Sequence, residues 1–209
     1  MKQGKAMIKP VIGTGPHNME FRHIPKTGGS SIEDTLLDFG IRVGRRNPKE
    51  QNGQCDQHTP ERRDVNATTW CVIRDPLDRF VSEHKWQTDN KHHGSMWMGR
   101  RNCTKEALNE HVDQAYDRKL HETFTGHCHY LPQTNYDCDE QLLFSNLNGS
   151  VLDFAKQAYH VDISTLKHVH DMSTCNLTKA DLTQKSADKL KEMYKDDFIL
   201  FARLNESPV

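Results

Sequence analysis

Pro25-Lys26-Thr27-Gly28-Gly29-Ser30-Ser31 lies between a short, partly apolar segment, Met19 to Ile24, and a run in which Ile32, Leu36, Leu37 and Phe39 recur at helical spacing before Gly40. The earlier segment ends at Pro25 and reads as a strand feeding a loop. The passage is therefore strand, glycine loop, helix. It places the loop where unpaired backbone N–H groups and the helix dipole favour an anion. Two adjacent glycines let the backbone wrap closely, Lys26 adds a point charge, and the hydroxyls of Thr27, Ser30 and Ser31 add donors. Such a loop suits a phosphate-like group with several oxygens. The plainer alternative is a tight turn that caps a helix.

The pattern repeats outward from this loop. Ile41 to Ala67 is polar and turn-rich, then Thr68 to Ile73 reads as a buried strand, and Pro76 opens a second helix with Leu77, Phe80 and Val81 on one face. Lys91 to Cys103 has no regular period and reads as a functional loop or lid. Thr104 caps a further helix. Later helices are predicted over Val151 to Tyr159 and Thr178 to Tyr194, the latter striped by Leu182, Leu190 and Met193. Asp197 to Arg203 is expected to close the chain as a strand. Strands and helices alternating without a linker predict an α/β fold: a single P-loop-like domain, residues 19–209, with a central, mainly parallel sheet flanked by helices. Residues 1–18 form a loose lead-in.

Composition narrows the function. Lys and Arg number 28 against 29 Asp and Glu in 209 residues, so no global field recruits nucleic acid or an anionic membrane. No apolar run approaches the ~20 residues that span a bilayer. Neither an anchor nor a signal peptide is expected in this stretch, and membrane attachment would need a segment it lacks. The six cysteines form no C-x-x-C pair, which argues against structural zinc and leaves disulfides open. Asn66, Asn102, Asn148, Asn176 and Asn205 each begin an N-x-[ST] glycosylation acceptor, which points to a secretory compartment such as the Golgi lumen. A cytoplasmic location is the alternative.

An ATP-type P-loop carries its lysine after the glycines; here lysine precedes them. In that order His23 to Ile32 resembles the 5′-phosphosulfate loop of the Golgi carbohydrate sulfotransferases, including the heparan 2-O and 6-O and the chondroitin 4-O enzymes. Val72-Ile73-Arg74-Asp75-Pro76-Leu77-Asp78-Arg79-Phe80-Val81-Ser82-Glu83 is similar to the same family's 3′-phosphate motif. The likeness extends more weakly through His127 to Gln133 and Tyr194 to Phe201. It implies 3′-phosphoadenosine 5′-phosphosulfate (PAPS) as sulfuryl donor, bound by Lys26, Thr27, Gly28, Gly29, Ser30 and Ser31, with the 3′-phosphate held by Arg74 and Ser82. The acceptor would be a hydroxyl of a carbohydrate. Transfer to a small alcohol or phenol, and a non-catalytic protein that binds nucleotides or anionic glycans, are the rival functions.

Sulfuryl transfer needs positioning, charge neutralisation and a base, and no metal if side chains supply these. Lys26 is the candidate for neutralising the leaving oxygen. The heparan enzymes place a histidine before the Arg-Asp-Pro strand, and His58 stands there, making it the candidate base. Glu33 and Glu61 are the carboxylate alternatives, Glu33 being free to point outward from its helix. His127-x-His129 and His168-x-His170 lack a matching ligand pattern, so no metal is assigned. Arg42, Arg45, Arg46, Lys49, Arg62, Arg63, Arg100 and Arg101 are either solvated loop charges or grips for an acidic glycan. Trp86 and Trp97 could stack on a sugar or simply pack.

Overall fold

The structure is a computed structural model that describes residues 18–43, 55–61, 65–88, 101–169 and 174–206. Strands β1 (Met19–Phe21), β2 (Thr68–Ile73) and β3 (Glu140–Leu143) form one parallel sheet in the order β1-β2-β3. Phe21 pairs with Trp70, and Ile73 with Leu143. The helices are α1 (Gly29–Asp38), α2 (Pro76–Thr88), α3 (Lys105–Asp117), α4 (Leu147–Tyr159), α5 (Gln184–Met193) and α6 (Lys195–Glu206). Helices flank the parallel sheet in the α/β arrangement that the alternating pattern predicts.

Successive side chains of β2 point to opposite faces, so its alternation divides the core. Trp70 and Val72 face Ile32 and Leu36 of α1 and Val151, Ala155 and Tyr159 of α4. The Trp70 indole is fully buried and donates from Nε1 to the Tyr159 hydroxyl at 2.8 Å. Cys71 and Ile73 face Ile24, Leu131, Tyr136 and Leu200. A third cluster joins α2, α3 and α5 through Phe80, Leu108, Val112 and Leu190. All six cysteines pair, as Cys55–Cys128, Cys71–Cys138 and Cys103–Cys175.

The closing segment corrects the sequence expectation: Asp197 to Arg203 is helical, within α6, rather than a strand. Its continuous apolar run suggests a buried strand, yet Ile199 is 60% exposed while Asp197 and Leu200 turn inward, the spacing of a helix face. The third strand is instead β3, an exposed Glu140 followed by three half-buried residues with little apolar signal. Three boundaries also move. β1 ends at Phe21, α4 begins at Leu147, and the Thr178 to Tyr194 stretch divides into a capped 3₁₀ turn, Lys179–Asp181, followed by α5. Most of the lead-in and of the proposed lid lies outside the described residues, as do Arg45, Arg46, Lys49, Arg62, Arg63, Trp97, Arg100 and His170. Among the described residues no helix is long and apolar enough to cross a membrane.

Candidate active site

The anion loop sits at the C-terminal end of β1, the edge of a parallel sheet where ligands bind. Gly28 caps α1 with φ 86° and no side chain bonds the helix start. The first-turn N–H groups of Gly29, Ser30 and Ser31 therefore have no intrahelical acceptor. Gly29 is required by crowding: a Cβ there would lie 2.3 Å from Cδ2 of His23. Lys26 also adopts the left-handed region, at φ 68°. Side-chain-bearing residues occupy that region at a cost of about 1–3 kcal/mol and need outside support. Arg74 supplies it by donating from Nη1 to the Lys26 carbonyl at 3.0 Å.

Arg74 is clasped in turn. Its backbone N–H donates to Gln133 Oε1 at 2.9 Å, and Gln133 Nε2 donates to its carbonyl at 2.8 Å. The guanidinium lies 4.2 Å over the Phe144 ring, and its buried Nε has no protein acceptor. Burial lowers the Arg74 pKa against the opposing pull of Asp78 and Asp75. Ser82 follows two turns into α2, partly exposed. A cradle of uncapped amides and an orphaned guanidinium N–H fits a ligand with phosphate groups at two points.

Lys26 Nζ lies 5.4 Å from the centroid of the Trp86 ring. Loss of hydration lowers its pKa to about 8; Glu83 opposes that shift and Arg74 reinforces it. Thr27 is fully buried, and its hydroxyl donates to the Ile24 carbonyl at 2.9 Å, so its side chain braces the loop from behind. Ser31 Oγ accepts from Val169 N–H at 3.5 Å, and Thr35 Oγ1 accepts from Lys167 N–H at 2.8 Å, laying the segment after α4 along α1.

His58 is brought to this centre. It lies 3% exposed on a 3₁₀ turn, Asp56–His58, that the Cys55–Cys128 disulfide ties to the chain around His129. Its Nδ1 is 3.0 Å from the His23 carbonyl, which can only accept, so Nδ1 carries the proton. Nε2 is left to accept from the Gln57 amide at 2.9 Å. Burial first, then the neighbouring His23, His129 and Lys26, holds the His58 pKa well below the ordinary imidazole range.

Two further imidazoles flank it edge-on: His23 at 4.5 Å and His129 at 4.9 Å between ring centroids. Each is anchored by a buried carboxylate, His23 Nδ1 to Glu33 at 2.9 Å and His129 Nδ1 to Glu83 at 2.7 Å. Glu33 thus points inward, contrary to the outward orientation open to it from sequence. Glu61 is exposed, and only its backbone carbonyl serves the site, accepting from Arg22. Arg101 is buried, donating from Nε to Gln87 Oε1 at 2.8 Å, so it is tied to α2. Arg42 is exposed. Among the described residues no group of three His, Cys, Asp or Glu side chains converges as metal ligands.

Sequence reasoning missed Glu83, His129 and Gln133 as partners. Glu83 directly follows Ser82 in the second motif, and a buried helix position carrying a carboxylate was the available signal. A family model described as the sulfotransferase family matches residues 10–202. No curated protein and no solved structure matches the chain.

Proposed function

The chain belongs to the sulfotransferase family, and from that premise we propose that it moves a sulfuryl group from PAPS to a hydroxyl of a carbohydrate acceptor. The observation that carries this reading is the direct bond from Arg74 to the Lys26 carbonyl, which couples the loop suited to a 5′-phosphosulfate to the residue suited to a 3′-phosphate. PAPS brings the activated sulfuryl group. The residues do the rest.

The first-turn amides of α1, with Ser30 and Ser31, bind the 5′ group, while Arg74 and Ser82 take the 3′-phosphate. Lys26 is oriented by Trp86 and Glu83 and neutralises charge on the bridging oxygen as the bond to sulfur breaks. His58 accepts the acceptor's hydroxyl proton at Nε2, once Gln57 turns aside. No step requires a metal. Trp86, beside both Lys26 and His129, offers an aromatic face for a sugar ring. Three disulfides and five exposed acceptor asparagines support work in an oxidising secretory lumen such as the Golgi.

Incubation with sulfur-labelled PAPS and a panel of polysaccharides, small alcohols and phenols tests the reading. Label in polysaccharide is expected. Label only in a small alcohol or phenol would replace the acceptor class, and no transfer despite nucleotide binding would make the chain a binding protein.

A further inference from the structure

If His58 is the base, as proposed above, it has difficulty keeping the proton it takes. The ring is nearly sealed from solvent, and both nitrogens are engaged, Nδ1 by the His23 carbonyl and Nε2 by Gln57. A buried imidazolium with no carboxylate bonded to it is costly. The neighbouring ring has what His58 lacks. His129 Nδ1 donates to Glu83 Oε2 at 2.7 Å, so in the neutral ring Nε2 carries the lone pair, and its side chain keeps 20% of its surface exposed.

Glu83 is itself held fast. Its other oxygen accepts from Gln87 Nε2 at 2.7 Å, the same amide donates to the Tyr130 hydroxyl at 2.9 Å, and Gln87 Oε1 is fixed by Arg101. Tyr130 can then donate to His111 Nε2 at 2.8 Å, with His111 Nδ1 donating to His84 and His84 Nε2 to the Asn102 carbonyl. Each group in this chain has one consistent assignment of protons, and it leaves Glu83 an acceptor only. Burial raises the Glu83 pKa, but His129, Lys26 and Gln87 together outweigh it and hold the carboxyl ionised.

We propose that His129, oriented by Glu83, is the residue to which His58 passes the acceptor's proton on its way to solvent. The acceptor O–H bond breaks as the His58 Nε2 lone pair takes the proton, and an electron pair of the acceptor oxygen forms the new O–S bond while the donor's bridging S–O bond breaks, its electrons leaving with the nucleotide. That proton then moves, directly or through one water, to Nε2 of His129, whose ring stands edge-on to His58 at 4.9 Å between centroids, and His58 returns to neutrality. The charge on His129 is balanced by Glu83 until water removes the proton. The charged and titratable groups around His129 are Glu83 and Arg79 of α2, His58, and Lys26 beyond Glu83.

The test compares native protein, His129→Ala and Glu83→Gln. His129→Ala should lower kcat at least about tenfold, make turnover depend on buffer concentration, and recover in part with added imidazole, at unchanged affinity for the product nucleotide. Glu83→Gln should move the acidic limb of kcat/KM to lower pH, because the relay loses its counter-charge. Native-like turnover without buffer dependence in His129→Ala, or a loss that no buffer rescues, would overturn the proposal. Long-range 1H–15N spectra decide it independently of turnover. The native protein should show His129 protonated at Nδ1, and an Nε2–H tautomer would overturn the relay even in a chain that transfers sulfate to no acceptor tried.

Discussion

Arg74 and Lys26 are joined by a 3.0 Å hydrogen bond from guanidinium to backbone carbonyl, across 48 residues of sequence. The bond makes the two halves of the proposed nucleotide site one unit, because the strained Lys26 backbone and the end of β2 cannot move apart separately.

That unit rests on a buried carboxylate. Asp197, fully buried in the first turn of α6, accepts from the Gln133 and Thr134 N–H groups at 2.8 and 2.9 Å, and Gln133 clasps Arg74. Asp197→Ala leaves two amides unpaired, at about 1–3 kcal/mol each. Denaturant unfolding should show a loss of that order. Nucleotide titration of the folded variant should show weakened preference for the 3′-phosphate.

The same residues show what the sequence could and could not reveal. The glycine loop, α1 and β2 were legible because glycines, helix periodicity and an apolar strand are local signals. Arg74, Ser82 and His58 were singled out only through resemblance, and their roles remain proposals. Glu83, His129 and Gln133 were not, since their meaning depends on which elements the Cys55–Cys128 disulfide and the packing of α2 bring together. α6 was misread because Phe198 to Ala202 is apolar at every position. A four-residue β3 with one exposed and three half-buried positions gives no period to detect.

Lys26 gives a pH signature in two opposed senses. With its pKa lowered from 10.5 to about 8, the folded chain sheds a proton that the unfolded chain keeps between those values. Stability of the unliganded protein should therefore rise with pH across that window. Affinity for the product nucleotide, 3′-phosphoadenosine 5′-phosphate (PAP), should fall as pH passes 8, since the cation that meets it is lost. Lys26→Met should raise Tm at pH 7 and weaken PAP binding. Thermal melts and calorimetry over pH 7 to 9.5, with the variant alongside, check both arms.

His58→Ala should lower kcat by about 10²–10⁴-fold with PAP affinity nearly unchanged. Lys26→Ala should instead damage binding and turnover together, because its charge acts in both ground and transition states. Steady-state kinetics beside calorimetry separates the two. A near-native His58→Ala enzyme with a dead but folded Glu33→Gln variant would move the base role to the carboxylate.

The site's central claim is that one end is built for a 3′-phosphate, and calorimetry of PAP against adenosine 5′-phosphate tests it without knowledge of the acceptor. The charged hydrogen bonds available from Arg74 and Ser82 are worth about 1.5–3 kcal/mol. PAP should accordingly bind about 10- to 150-fold more tightly, and Arg74→Ala should abolish most of the difference. Equal affinities for the two nucleotides in the native protein would contradict the account.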